Sequence, residues 1–275
     1  MEENELKKSM KQISVIAILI LGVLAGCSNA NVISTHNPAS KAISDTKTAV
    51  TKETSSTAAT ENTTTNTTAD QSQPTNTDIY NQLINLNFDG KNQVVVVNQN
   101  RTTFTADDLS LGNGNWQTFS NLDPYNRVGV ANAMLHKSMM PTAKREPLYV
   151  KPTGWHNKQI TVNGKREWLY NRSHLIGYQF TGQNNNMKNL MTGTRSFNDP
   201  GMLIYEDNVA KYLKATDNHV RYQVEPIFRG NELVARGVHM QAKSVEDNQL
   251  EFNVYIFNVE PGVVINYVDG TSMLQ

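Results

Sequence analysis

The run Asn171-Arg172-Ser173-His174, followed by an asparagine-rich stretch to Asn198 and then by Glu206, gathers residue types that suit hydrolysis of a phosphodiester. That reaction needs a base to deprotonate water, positive charge against the phosphoryl oxygens and the leaving group, and donors that hold the phosphate. Histidine titrates at roughly pH 6.5, so His174 can present a neutral imidazole as the base. Arg172 can donate to phosphate, and the Asn198 carbonyl suits an oxygen-preferring divalent ion that keeps most of its water. Asn198, Met202 and Glu206 are four residues apart, which on one helix puts Asn198 and Glu206 on neighbouring faces. Glu206 could then hold a water of the ion or bind it directly. Each residue also has a plain structural role open to it: strand-end histidine, helix cap, solvated carboxylate.

These residues resemble the motif of the non-specific DNA/RNA endonucleases of the ββα-metal, or His-Me finger, type, especially the bacterial DNA-entry nucleases. The family pattern Asp-Arg-Gly-His is met by Asn171-Arg172-Ser173-His174, and the later family positions fall on Asn189, Asn198 and Glu206. Further similar stretches are Pro152 to His156, Leu169 to Gly177, Asn189 to Arg195 and Asn258 to Tyr267, so the resemblance runs from about Val94 to Asp269. It implies that His174 is the general base, Asn198 the ligand of a single Mg²⁺ (Mn²⁺ being the alternative), and Glu206 the partner of a metal water. Arg172 and Asn189 are implied to hold phosphate or stabilise the transition state, with Arg195 and Lys188 as further phosphate contacts. The implied substrates are DNA and RNA, and the implied products carry a 5′-phosphate and a 3′-hydroxyl. Asn171 replaces the family Asp and Ser173 replaces its Gly, which changes one charge and one backbone allowance.

Positioning such residues calls for strands and one helix. Gln93–Asn98 is a β-branched run that reads as a buried strand. Asp123–Met140 carries Val128, Val130, Ala133, Met134 and Leu135 at roughly helical spacing before Pro141, which predicts a helix. Arg166–Phe180 reads as a strand followed by a turn. Met202, Tyr205, Val209, Tyr212 and Leu213 form an amphipathic helical pattern, with Asn198 as its cap and Pro200 in its first turn. Three alternating runs, from His219, Leu233 and Leu250, separated by turn residues, predict an antiparallel meander. The expected fold is therefore α+β, with a mixed or antiparallel central sheet and a ββα-metal unit.

The N-terminus reads differently. Lys7, Lys8 and Lys11 precede an apolar run, Ile13 to Ala25, that is too short to span a bilayer comfortably, which is the layout of a secretory signal. Leu24-Ala25-Gly26-Cys27 resembles a bacterial lipobox, implying removal of residues 1–26, a lipid on Cys27 and a membrane-anchored domain outside the cell. Cys27 is the single cysteine, so no intramolecular disulfide can form. Residues 27–77 are dominated by Ser, Thr, Asn and Ala and lack the apolar surface to offset ordering, which predicts a disordered linker. A flexible chain of this length reaches roughly 40 Å. Residues 78–275 suit one globular domain.

Net charge is zero and excludes nothing, but its distribution is uneven. Lys137 to Arg195 holds ten basic residues against Glu146 and Glu167, whereas Ser196 to Gln275 holds six basic and eleven acidic residues. A basic face for a polyanion fits this, as does a chance division of solvated charges. His136, His156, His219 and His239 lack the spacing of a zinc site. Trp116, Trp155 and Trp168 could stack on bases or belong to the core. The alternatives are a non-catalytic surface module that binds DNA for uptake or adhesion, which loss of His174 or Asn198 would have favoured, and a structural lipoprotein.

Overall fold

The computed structural model describes residues 74–275 apart from Asn163; the expected leader, Cys27 and the expected linker up to residue 73 lie outside the described residues, whereas residues 75–77, read as linker, cap and begin a helix. In chain order the elements are α1 (Asn76–Leu83), β1 (Val94–Val96), β2 (Trp116–Phe119), β3 (Ala131–Leu135), β4 (Gln159–Val162), β5 (Lys165–Trp168), β6 (Tyr170–His174), α2 (Tyr178–Thr181), β7 (Leu190–Thr194), α3 (Leu203–Ala215), β8 (Val220–Ile227), β9 (Gly237–Ser244), β10 (Glu251–Phe257), β11 (Val263–Ile265) and β12 (Ser272–Leu274). A six-stranded sheet in the order β1-β10-β9-β8-β3-β2 forms the centre, and β4-β5, β6-β7 and β11-β12 make three separate hairpins. Every strand pair is antiparallel.

Alternation decides which face of the central sheet meets the helix. Val220, Tyr222 and Val224 of β8, Val238, Met240 and Ala242 of β9, and Val254 and Ile256 of β10 join Val209, Ala210 and Leu213 of α3 in the main core. The opposite face is polar yet covered. Gln241 donates to Gln223 Oε1 (2.7 Å), while Gln223 and Arg221 both donate to Asn132 Oδ1 (2.8 and 2.7 Å). The Thr103 backbone donates to Gln241 Oε1 (2.9 Å), so this buried network is held by the loop that crosses it.

Helix α1 begins with a capping box, in which Thr75 Oγ1 accepts from the Asp78 amide and Asp78 Oδ2 accepts from the Thr75 amide. It starts two residues before the boundary read from composition. Ile79 and Leu83 pack with Val97, Ile227, Tyr255 and Phe257 as a second cluster. Among the described residues no helix is long and apolar enough to cross a membrane.

Three local expectations change. Asp123–Met140 holds no α-helix: β3 lies between β2 and β8, with Ala131, Ala133 and Leu135 facing the core and Met134 fully buried on the other face. A strand covered on both faces loses the alternation that identifies strands, so its apolar run imitated a helix. β1 is an edge strand paired only with β10, and Val96 is 61% exposed, so the valine run is not buried on both sides. The predicted helix near residue 202 is present as α3, but Asn198 does not cap it. Phe197–Met202 forms a wide π-type turn broken at Asp199 (φ −141°, ψ 112°). Pro200 disfavours a helical conformation in the residue before it, so the regular helix begins only at Leu203.

Candidate functional site

Hairpin β6-β7 and helix α3 carry the site. In β6, Arg172 and His174 share one face, and Ser173 projects from the opposite face, beside Gly193 of β7. Ser173 is fully buried, and its Oγ has no hydrogen-bond partner among the described residues. A Cβ added at Gly193 would overlap both Ser173 Oγ and the Phe197 ring, so the glycine in β7 provides the room that the serine in β6 occupies.

His174 ends β6 at 7% exposure. Its Nε2 lies 2.9 Å from the Asn184 carbonyl, which can only accept, so Nε2 carries the proton and Nδ1 the lone pair. Arg145 Nη2 stands 3.5 Å from Nδ1. Burial lowers the imidazole's pKa below its ordinary value and the Arg145 charge lowers it further, against the opposing pull of the Asn184 and Gln183 carbonyls. The ring is therefore neutral at and somewhat below neutral pH.

A cavity of about 850 Å³ opens beside this ring. His174, Asn198, Glu206, Arg145, Arg172 and Asn171 line it on the polar side, and Trp155, Trp168, Tyr170 and Tyr178 form aromatic wall. Although the kink at Asp199 prevents Asn198 and Glu206 from sharing one regular helix, both reach this cavity. Gly177, three residues past His174, makes the approach of Glu206 possible, since a Cβ there would lie 3.1 Å from Glu206 Oε1. Burial pushes the Glu206 carboxyl up to about 7; the Asp207 charge adds to this and Arg145 opposes it.

Arg172 is partly committed: its Nε donates to the Val150 carbonyl and its guanidinium lies over the Trp155 ring at 4.4 Å. Asn189, expected to hold phosphate, is fully buried and does not line the cavity. Its Oδ1 accepts from the Ile176 amide (2.8 Å) and its Nδ2 donates to the Ile176 carbonyl (2.9 Å), so it clamps the chain just beyond His174. Lys188 donates to Asn121 Oδ1 (2.7 Å) and Arg195 pairs with Glu167 (3.2 Å); neither is on the cavity wall. Arg145 was not singled out from the sequence. It comes from a loop without periodicity, and the Tyr178 hydroxyl ties that loop down by donating to the Ala143 carbonyl (2.9 Å).

Among the described residues no group of three or more His, Cys, Asp or Glu is placed to hold a metal ion. The oxygen donors of Asn198 and Glu206 instead fit a hard divalent ion that keeps most of its own water, and they are a poor set for a structural zinc.

Comparison with known proteins identifies the family. The family model for DNA/RNA non-specific endonuclease matches residues 107–246. A deoxyribonuclease of Streptococcus dysgalactiae subsp. equisimilis is 34% identical over 122 residues, which cover 42% of this chain and 37% of that protein, so the chain spans little more than a third of this curated relative. NucA from Streptococcus agalactiae, solved with a magnesium ion bound, is 27% identical with a TM-score of 0.58, covering 66% of this chain and 88% of that one. Its metal-free structure is 28% identical with a TM-score of 0.59 and is covered over 99% of its length, against 75% of this chain. The Sda1 nuclease with bound zinc is 27% identical with a TM-score of 0.53, covering 58% of this chain and 82% of that one. Because the matched stretch takes in more than half of the 275 residues, including His174, Asn198 and Glu206, the chain belongs to the DNA/RNA non-specific endonuclease family.

Proposed function

We propose that this protein is a divalent-metal-dependent endonuclease that hydrolyses DNA and RNA phosphodiesters without reading base sequence, and that a lipid on Cys27 holds it to the outer face of the cell membrane. The observation that carries the catalytic part is the meeting of His174, Asn198 and Glu206 on one cavity wall with two arginines.

In this reading His174 Nδ1 takes a proton from the attacking water, while Nε2 keeps its proton and donates it in a hydrogen bond to the Asn184 carbonyl, which steadies the imidazolium as it forms. The water oxygen bonds to phosphorus, the P–O3′ bond breaks, and the leaving oxygen takes a proton from solvent water to become the 3′-hydroxyl, with the phosphate left on the 5′ side; His174 then returns its extra proton to solvent. Arg145, beside Nδ1, and the free edge of Arg172 donate to the phosphate oxygens. Asn198, with Glu206 acting directly or through water, would hold a divalent ion, Mg²⁺ by preference and Mn²⁺ as its substitute, that supplies positive charge against the phosphate and the leaving oxygen. Contacts to phosphate rather than to base edges make binding indifferent to sequence and sensitive to salt.

Supercoiled plasmid and single-stranded RNA incubated with the protein should both be degraded with Mg²⁺ and spared with EDTA. Asn198→Ala should need far more metal for the same rate. Equal cleavage with and without EDTA would overturn the metal-dependent reading.

A further inference from the structure

The β4-β5 hairpin borders the cavity, and its outward face is neither core nor catalytic machinery. Along β5, Arg166 and Trp168 point to the same side, while Glu167 pairs across the hairpin with the buried Ile160. Trp168 is 54% exposed, although it belongs to the aromatic wall of the cavity.

The other rings of that wall are already engaged. Trp155 carries the Arg172 guanidinium on its face, and Tyr170 is buried with its hydroxyl donating to the Gly270 carbonyl (2.9 Å). Trp168 thus offers a large open ring beside the phosphate-binding end, with the exposed Arg166 two residues away on the same face. An exposed aromatic next to a cation along the path of a polyanion is how single strands are held without sequence preference, since every base has a face to stack. The cavity, about 850 Å³, is also larger than a phosphodiester group alone requires.

We infer that Trp168 is a stacking platform for an unpaired base of the substrate and that Arg166 guides the adjoining phosphate, so the site grips single-stranded or locally opened nucleic acid. This rests on the nuclease reading of the same cavity.

The test is binding of the full chain in EDTA, by fluorescence anisotropy, to a labelled oligothymidylate of about twelve units and to an abasic sugar-phosphate oligomer of equal charge. The wild type should prefer the base-bearing oligomer by about ten-fold or more. Trp168→Ala should erase that preference and Trp168→Phe should keep most of it. Arg166→Gln should weaken binding of both oligomers and flatten the salt dependence by about one phosphate contact. Equal affinity of the wild type for the two oligomers, or an undiminished preference in Trp168→Ala, would overturn the inference. Anisotropy reads binding and not hydrolysis, and intact oligomer is checked on a gel after each titration, so these outcomes are independent of whether metal restores cleavage and either reading can fail alone.

Discussion

The imidazole of His174 points its Nε2 at the Asn184 carbonyl, 2.9 Å away, which leaves Nδ1, 3.5 Å from Arg145 Nη2, as the ring's basic atom. One backbone carbonyl thereby sets the tautomer, and burial keeps the ring neutral. A second titrating group on the same wall behaves in the opposite way, and the pair sets how the protein responds to pH.

Glu206 ionises at about 7 in the folded chain against about 4.5 for an ordinary glutamate. A carboxyl raised on folding binds its proton more tightly in the native state, so its contribution to stability is complete below the unfolded value and is lost as pH rises through the folded one. In EDTA, Glu206→Gln should therefore be more stable than the wild type at pH about 8, by on the order of 1–3 kcal/mol, with the difference vanishing near pH about 4. Thermal melts at the two pH values measure this, and a wild type that is the more stable at alkaline pH would contradict it.

Gly193 and Ser173 form a fitted pair across β6 and β7. Gly193→Ala forces a methyl group into Ser173 Oγ and Phe197 and should cost about 1–3 kcal/mol in chemical denaturation. Adding Ser173→Gly should recover part of that loss. A fully additive double variant would show that the two side chains do not compete for the same space.

Asn189 acts on the chain rather than on the substrate. Asn189→Ala leaves the Ile176 amide and carbonyl without their partners inside the core, so stability should fall by about 1–3 kcal/mol and His174 should lose its fixed position. A variant of unchanged melting temperature with weakened nucleic-acid binding would instead make Asn189 a phosphate contact.

Much of this was legible in the chain itself, for reasons that differ by residue. His174 and Glu206 stood out because their types and spacing match one reaction, and α3 and the β8–β10 meander carry local periodicity that survives folding. What was not legible depends on distant partners. β3 imitated a helix because both of its faces are covered. Asn198 looked like a cap because a turn broken before Pro200 leaves no local mark beyond the proline. Arg145 reaches the cavity from a loop held by distant partners, Tyr178 at Ala143, Asn184 at Glu146 and Asn185 at Pro147. Ser173, a departure from the motif when read along the chain, is accommodated by a glycine twenty residues later.

The proposed anchor has its own measurement. Cells producing the full chain should hold it in the detergent phase after Triton X-114 partition, and Cys27→Ser should move it to the aqueous phase or the medium. Equal partition of the two proteins would remove the lipid from the account.

The central claim is that His174 is the base for phosphodiester hydrolysis. Rates of plasmid and RNA cleavage at saturating Mg²⁺ should fall by about 10²–10⁴-fold in His174→Ala with the fold retained, because general-base catalysis is worth about that much. Cleavage by His174→Ala at the wild-type rate would contradict it.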